Sequence, residues 1–184
     1  FDHNPYTYVD EGIAITSYNI IEGVKDSIDK LVVSFINGDI VILNLLNGEV
    51  LHKILYEDHG YEFTFCSPII KDSLLIFGSK EGVICVWNFI DNKLIYELVG
   101  HDSDLQNLSF EKVSMKRNLI SIGNDGMIKY WDIKTGELLL TYSELENDNW
   151  IVYDKHYRYD GTPEAIKQLY FTCGLEIIEL EQVK

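Results

Sequence analysis

The chain has 184 residues, 46% of them hydrophobic and 12% aromatic, which is enough to form a buried core and excludes a disordered protein. Its formal net charge of −15 argues against binding to nucleic acid and to anionic membrane surfaces, because both carry negative phosphates. The three cysteines are odd in number and widely spaced, so we expect reduced, buried thiols and a cytoplasmic localisation.

Residues 1–29 are predicted to form a polar, aromatic lead-in followed by one strand of an incomplete repeat unit. The β-rich run IAITSYNII at 13–21 indicates the strand, and a polar, turn-like stretch follows it. The chain begins with Phe1 rather than Met, so we expect it to be a piece of a longer protein or to lack a removed segment.

Residues 30–142 repeat one pattern of short apolar strands and tight turns. Glycine turns recur at 37–39 (NGD), 81–83 (EGV) and 125–127 (DGM), at intervals of 44 residues. We expect the first, Asn37-Gly38, to be a type I′-like hairpin turn. The strands that follow the three turns are predicted at 39–44, 83–88 and 127–132, and further strands are predicted at 50–56 and 61–66. Four short strands in about 40–45 residues is typical of a β-propeller blade, which packs both faces of its sheet against neighbours.

The third unit contains three further motifs, Gly100-His101, Asp125-Gly126 and Trp131-Asp132, in this order. In order and approximate spacing they resemble a blade of the WD-repeat family, and Trp87-Asn88 resembles the closing dipeptide of the blade before it. The resemblance implies an all-β fold, a β-propeller of four-stranded antiparallel blades. It also implies a buried hydrogen-bond network of His101, Ser121, Asp125 and Trp131.

The first two units depart from the family pattern at the positions of this network. The second unit has Phe77 and Glu81 where the third has Ser and Asp. The first unit has Val33, Asn37 and Leu43 in the places of Ser, Asp and Trp. We therefore expect apolar packing to hold these two blades.

Residues 143–184 are predicted to form an irregular closing segment. A short helix is expected to start at Pro163 with Thr162 as its N-cap, and a hairpin-like pair is expected over 169–180. Trp150 is expected to pack on the preceding blades. The run from Trp150 to Thr162 resembles the closing segment of some bacterial multidomain WD-repeat proteins, some of which continue into a caspase-like peptidase domain. This resemblance implies the C-terminal part of a propeller.

Three clear units and one irregular unit give about four blades, which predicts a partial propeller. Two ways to complete the ring remain open: blades from missing sequence, or another copy of this chain in a homo-oligomer. The first 29 residues, the repeats at 30–142 and the closing segment at 143–184 are the three predicted regions of the chain.

The sequence indicates no catalytic, cofactor or metal site. His59 and Cys173 are the residue types of a cysteine-protease dyad, but no nucleophile signature surrounds Cys173. His101, Ser121 and Asp125 are the residue types of a catalytic triad, but the repeat explains them as a structural network. The five histidines are scattered without metal-ligand spacing, and no phosphate-binding glycine motif is present. We therefore predict that the chain is not an enzyme and holds no cofactor.

The preferred functional hypothesis is a scaffold that binds a protein partner, because loops on a rigid fold commonly carry binding. The acidic charge favours a basic partner. The candidate contact residues, in turns and inter-blade connections, are Tyr56, His59, Tyr61, Lys80, Asp102, Asp104 and Asn124. The alternatives are a regulatory or sensor propeller attached to an effector domain, and a propeller enzyme or sugar-binding module. The last requires carboxylates clustered around a central channel, which the sequence does not indicate.

Overall fold

The chain folds into consecutive antiparallel sheets, described here from a computed structural model that covers residues 13–22, 28–62, 69–71, 74–110, 118–173 and 176–179. The first sheet contains β1–β4, at Ile15–Ile21, Lys30–Phe35, Ile40–Asn44 and Val50–Ile54. The second contains β5–β8, at Ile69–Lys71, Leu74–Gly78, Ile84–Asn88 and Lys93–Leu98. In both sheets the strands lie in chain order, so each strand pairs with the next along the sequence.

The third sheet contains six strands, β9–β14, again in chain order. They lie at Leu105–Phe110, Asn118–Gly123, Met127–Asp132, Glu137–Glu144, Trp150–Tyr153 and Tyr159–Gly161. A single-turn helix, α1, spans Tyr56–His59, and another, α2, spans Pro163–Ile166. Strands β15 (Tyr170–Cys173) and β16 (Glu176–Glu179) form a two-stranded hairpin. Four-residue helices are far too short to cross a bilayer, and the described residues contain no longer one.

Two sets of turns repeat with the 44-residue period. Gly38, Gly82 and Gly126 have φ angles of +88°, +80° and +77° in the β2–β3, β6–β7 and β10–β11 turns. A second set, Gly48, Asn92 and Gly136, has φ between +49° and +72° in the turns after β3, β7 and β11. Glycine and asparagine are the residues that adopt this left-handed conformation at least cost.

The prediction of a type I′-like turn at Asn37-Gly38 was wrong. Such a turn needs positive φ at both central residues, and Gly38 has it while Asn37 does not. The Phe35 backbone N–H instead donates to the Asp39 carbonyl, which closes a three-residue loop with glycine in the left-handed position.

The sheets pack face to face through two apolar clusters. The first cluster joins sheets one and two through the buried side chains Val32, Ile40, Ile42, Ile54, Leu75, Phe77, Cys85, Trp87 and Phe89. The second joins sheets two and three through Ile76, Ile84, Val86, Leu98, Leu105, Leu108, Leu119, Trp131 and Ile133. The four residues that sheet one contributes recur 44 residues later in sheet two, where they contact sheet three. The facing side recurs in part, with Leu75, Trp87 and Phe89 replaced by Leu119, Trp131 and Ile133, as expected for successive propeller blades.

The chain also differs from the expected strand pattern in three places. Strand β1 lies in the first four-stranded sheet, so the first unit begins before the predicted boundary at residue 30. Strand β4 ends at Ile54, because the chain turns into α1 at Tyr56, where a continuous strand was expected. The strand predicted at 61–66 lies mostly outside the described residues, while the unpredicted β5 pairs with β6.

The third sheet continues into the region where an irregular closing segment was expected. The chain turns back after β12, and β13 pairs with β12 and β14 with β13. Trp150, on β13, stacks on Tyr142 of β12 with ring centroids 6.3 Å apart, but it is only half-buried and this contact lies within its own sheet rather than on a preceding blade. Thr162 is the N-cap residue of α2, but its Oγ1 donates to Asn149 Oδ1 at 2.7 Å instead of capping the helix.

The second glycine turn is crowded, and this crowding gives a test of the fold. A Cβ atom at Gly82 would lie 2.6 Å from the His101 carbonyl oxygen, whereas a Cβ at Gly126 would have open space within 4 Å. Both glycines have the same left-handed φ, which costs about 1–2 kcal/mol for alanine. We expect Gly126→Ala to lower the free energy of unfolding by about that strain alone, and Gly82→Ala to lower it by clearly more. Urea unfolding measures both, and equal losses would contradict the crowded turn.

Candidate functional site

The four side chains of the third-unit motif lie together at the end of the third sheet. His101 precedes β9, Ser121 lies on β10, Asp125 lies in the β10–β11 turn and Trp131 lies on β11. The two His101 ring nitrogens lie 2.8 Å from Asp125 Oδ2 and 2.8 Å from Ser121 Oγ, and the Trp131 indole N–H donates to Ser121 Oγ at 2.8 Å. The structure therefore joins the four residues in one chain of hydrogen bonds.

Gly123 leaves the space that this chain of hydrogen bonds needs. A Cβ atom at Gly123 would lie 2.5 Å from His101 Nδ1 and 2.6 Å from Asp125 Oδ1. The Asp125 carboxylate also accepts from the backbone N–H groups of Asp102 at 3.2 Å and Met127 at 3.0 Å. One carboxylate thus fixes both the β10–β11 turn and the connection that leads into β9.

The donors and acceptors in this chain assign a neutral His101. Trp131 can only donate to Ser121 Oγ, so the Ser121 hydroxyl hydrogen is free to donate to His101 Nε2. That leaves the hydrogen on Nδ1, which donates to the Asp125 carboxylate. Every polar atom is then satisfied without placing a positive charge on a side chain that is fully removed from solvent.

The electrostatics agree with the neutral ring. Burial lowers the pKa of His101 below its ordinary value, and nearby Lys129 adds to this effect against the opposing influence of Asp125. For Asp125, burial alone would raise the pKa, but hydrogen bonds from Met127, His101 and Asp102 hold it below its usual value. Both shifts disfavour proton uptake in the folded state.

We expect the protein to lose stability as the pH falls, in two stages. The folded pKa of His101 lies below its unfolded value of about 6.5, so below that pH the unfolded chain binds more protons and is favoured. Asp125 stabilises the folded state above pH 3.8, its ordinary pKa, and this stabilisation is lost as the pH falls below that value. Urea unfolding between pH 7.5 and 5.5 measures the first stage. The variant His101→Gln should show a weaker pH dependence, and a dependence equal to that of the wild type would contradict the assignment.

This geometry satisfies the distances of a catalytic triad but gives a substrate no access. Ser121 is fully buried, and its Oγ already contacts both His101 and Trp131. A nucleophile needs an open side for the reacting carbon atom. In the part of the chain that the structure describes, no three His, Cys, Asp or Glu side chains lie close enough together to hold a metal ion.

Cys85 and Tyr61 have shifted pKa values for reasons of packing. Burial raises the pKa of the Cys85 thiol, and Glu97 and Glu81 add to this shift, so the thiol stays protonated and unreactive. Burial, followed by a hydrogen bond with Glu97, raises the pKa of Tyr61 to about 12. Tyr61 therefore acts as a neutral hydrogen-bonding group between the inter-sheet connection and β8.

The first two units contain polar contacts that the sequence did not suggest. In the first unit, Asn37 Nδ2 donates to Asp39 Oδ2 at 2.9 Å, and Asp39 Oδ1 accepts from the Tyr56 backbone N–H at 2.9 Å. In the second, Ser79 Oγ accepts from the backbone N–H groups of Glu81 and Val83, both at 3.2 Å. The expectation that apolar packing holds these blades is thus incomplete. In the sequence, the polar residue beside each glycine turn could have indicated these contacts.

The candidate partner-binding residues lie at one end of the sheets, which we call the glycine-turn rim and define by the turns at 36–39, 79–83 and 124–126. Lys80 and Asn124 lie in these turns. The other candidate residues lie in the connections between sheets, which pass across the turns. The Tyr56 ring lies close to Gly38, and the Asn124 backbone N–H donates to the Asp104 carbonyl at 2.8 Å. The exposed side chains are Tyr56, Lys80, Asp102 and Asn124, while Tyr61 and Asp104 are half-buried. The His59 backbone belongs to α1, but its side chain lies outside the described part of the chain.

The chain is similar to known proteins both in sequence and in structure. No protein-family model matches the chain. It is 28% identical over 129 residues to the nuclear distribution protein PAC1 of Komagataella phaffii, a match that covers 62% of this chain and 25% of that protein. The chain spans between 8% and 25% of the lengths of six curated relatives that it matches.

Among solved structures, the WD40 β-propeller domain of Doa1 is similar to this chain with a TM-score of 0.56 and 15% sequence identity. The match covers 80% of this chain and 50% of the Doa1 chain. The computationally designed protein Ika4 is similar with a TM-score of 0.54 and 25% sequence identity, and the match covers 81% of this chain and 90% of the Ika4 chain. These similarities, together with the sheets described above, show the fold of the chain.

Proposed function

We propose that this chain, a partial WD-repeat β-propeller by fold and by sequence similarity, is a non-catalytic scaffold that binds a protein partner. The observation that supports this proposal is the burial of the most reactive side chains. His101, Ser121 and Trp131 are held inside the third sheet by each other, so their role is structural. Exposed polar and aromatic side chains remain at the glycine-turn rim, on turns that the sheets hold rigid.

The rim is the proposed contact surface. Tyr56 offers an aromatic ring next to a fixed backbone, and aromatic residues are frequent at the centres of binding surfaces. Asp102 and Asn124 add exposed polar groups at the same end of the sheets, and Lys80 is engaged with Glu62 at 3.6 Å. The net charge of −15 favours a partner with a basic surface, and binding of such a partner should weaken as salt increases.

Affinity capture with purified wild-type protein and rim variants tests this function. The variants Tyr56→Ala, Asp102→Ala and Asn124→Ala change exposed side chains, and Asp102→Ala keeps the backbone N–H that Asp125 needs. The control is Ile90→Ala, an exposed residue in the turn after β7 at the opposite end of the sheets. We expect the rim variants to lose a partner that the control retains. Capture of no protein, together with a specific small-molecule ligand, would contradict the scaffold.

A second candidate is a regulatory or sensor propeller within a longer multidomain protein, as the resemblance of 150–162 to bacterial closing segments suggests. The supporting observation is that this run is built into the third sheet as β13 and β14. A domain following it would be attached near a rigid blade rather than through a free linker. Determination of the complete coding sequence tests this candidate, and the absence of any effector domain from it would contradict it.

A further inference from the structure

The turn between β13 and β14, at 154–158, holds an exposed aromatic residue in an unfavourable backbone conformation. Tyr157 has a φ angle of +60° and is 81% exposed. Among the described residues, the other non-glycine ones with positive φ are Asn92, Asn147 and Asp148, whose short polar side chains tolerate this region. A bulky side chain is strained there, whereas glycine is not. Such strain is concentrated at functional sites, so it indicates a use for the Tyr157 side chain.

One carboxylate fixes the shape of this turn. Asp154 Oδ1 accepts from the backbone N–H groups of His156 at 2.8 Å and Arg158 at 3.0 Å. Asp154 Oδ2 accepts from Arg158 Nε at 2.6 Å and lies 2.5 Å from Arg158 Nη2. The Asp154 backbone N–H also donates to the Arg158 carbonyl at 3.0 Å. Because the turn is already fixed, little further conformational entropy is lost when it binds a partner.

The same contacts leave a positive charge on the outside of the turn. The Asp154 side chain is only 9% exposed, whereas the Arg158 side chain is 80% exposed. Asp154 contacts only Nε and Nη2 of Arg158, and no other described residue accepts from the remaining guanidinium N–H groups. A planar guanidinium that is held in place suits a carboxylate, which it can bind through two parallel N–H groups.

Two further tyrosines flank the turn. Tyr153 and Tyr159 lie directly opposite each other in the register of β13 and β14, so their side chains stand on the same face of the sheet. They are 36% and 43% exposed. Tyrosine and arginine are enriched at the energetic centres of protein interfaces, and tyrosine gives a large contact area at low cost in conformational entropy. We call Tyr153, Tyr157, Arg158 and Tyr159 the hairpin-tip surface.

The hairpin-tip surface is separate from the glycine-turn rim. Within the turn, Lys155 Nζ lies 2.8 Å from Glu137 Oε1, and Glu137 begins β12 directly after the Gly136 turn. That turn belongs to the second set of turns, at the opposite end of the sheets from the rim. A partner bound at the hairpin tip therefore leaves the rim free.

Going beyond the rim, we propose that the hairpin-tip surface binds a peptide segment of a partner protein that carries an acidic side chain beside an apolar one. Arg158 binds the carboxylate, and Tyr157 packs against the apolar side chain. Four side chains are far fewer than the roughly 20–30 residues that each protein contributes to a standard interface, so a short segment fits better than a folded domain.

The net charge of −15 does not prevent this contact. At physiological ionic strength, exposed charges more than about 8 Å apart are largely screened from each other. The charge next to the bound carboxylate therefore decides the interaction, and that charge is the exposed guanidinium of Arg158.

Selection of random peptides displayed on phage against the immobilised wild-type protein tests the proposal. Enriched sequences are expected to contain Asp or Glu beside an apolar residue. Isothermal titration with one enriched synthetic peptide then measures its dissociation constant. We expect Tyr157→Gly to raise this constant by about 30-fold and Arg158→Ala by about tenfold, as for residues at the centre of an interface. The same peptide with amides in place of its carboxylates should bind about tenfold more weakly.

Stability measurements separate a binding role of Tyr157 from a structural one. Tyr157→Gly removes the backbone strain, so its urea midpoint should equal or exceed that of the wild type although its binding is lost. The matched control is Tyr18→Ala, because Tyr18 is 68% exposed but lies on β1, in another sheet. The rim variant Tyr56→Ala should bind the peptide as the wild type does, which keeps this test separate from that of the rim.

The proposal is overturned if no peptide is enriched or if the enriched peptides lack acidic residues. Unchanged affinity of Tyr157→Gly, or an equal loss of affinity in Tyr18→Ala, would also overturn it. A urea midpoint of Tyr157→Gly below that of the wild type would have the same consequence, because Tyr157 would then stabilise the turn rather than contact a partner.

Discussion

The variant Trp131→Ala is expected to lower the free energy of unfolding by about 3–5 kcal/mol, the range for removal of a large buried aromatic side chain. Trp131 is 2% exposed and fills the cluster between the second and third sheets. Its removal leaves a cavity against Gly100, where an added Cβ would be 2.9 Å from the indole. It also removes the N–H that orients the Ser121 hydroxyl. Urea unfolding followed by circular dichroism, at one fixed protein concentration, measures the loss.

Two control variants separate the contributions to this loss. Trp131→Phe keeps most of the apolar volume but removes the indole N–H, and we expect it to cost about 1–2 kcal/mol. Trp150→Ala removes an indole that is only half-buried against Tyr142, so its cost should also be well below that of Trp131→Ala. If Trp131→Ala cost no more than Trp150→Ala, the packing between the sheets would have to be different from that described.

The variant Asp125→Ala is expected to cost about 1.5–3 kcal/mol, the range for hydrogen bonds to a charged group. It leaves three N–H donors without their acceptor: the His101 ring, which is fully buried, and the backbones of Asp102 and Met127. The connection into β9 and the β10–β11 turn should both loosen, because one carboxylate holds them together. Urea unfolding at pH 7.5 measures the cost, and amide hydrogen exchange at Asp102 and Met127 should report faster opening.

The amide variant Asp125→Asn isolates the role of charge. Asparagine has the shape of aspartate but one acceptor oxygen in place of two, so it can satisfy only part of the donors. We expect a loss of stability between those of the wild type and Asp125→Ala. Equal stability of Asp125→Asn and Asp125→Ala would mean that the amide restores none of these hydrogen bonds. That result would contradict the hydrogen bond that Asp125 Oδ1 accepts from the Met127 backbone N–H.

The sequence predicted those elements whose determinants are local. The strands after the three glycine turns were expected at 39–44, 83–88 and 127–132, and they lie at Ile40–Asn44, Ile84–Asn88 and Met127–Asp132. Apolar alternation and an adjacent glycine specify such a strand within a few residues of itself. The residues of the His101 network could be named for a similar reason, because the third unit keeps the family motif at all four positions.

Other features depend on residues that are distant in the sequence, and these could not be predicted. Asp39 becomes a structural acceptor because α1, 17 residues later, brings the Tyr56 N–H to it. Strands β13 and β14 join the third sheet through pairing with β12, and the local pattern of 150–161 fits a separate hairpin equally well. Which side chains line the glycine-turn rim also depends on where the connections cross the turns.

The return of the chain after β12 has a further consequence, for solubility. A terminal strand exposes unpaired backbone N–H and C=O groups, which can template aggregation with other chains. Strand β12 is eight residues long and contains three consecutive leucines, Leu138–Leu140, so as the last strand it would be a strong template. Strand β13 pairs with it, and the sheet ends instead at the three-residue β14, which contains Asp160. The last strands of the first two sheets, β4 and β8, are also short and contain Lys53 and Glu97, so these edges too discourage the growth of fibrils.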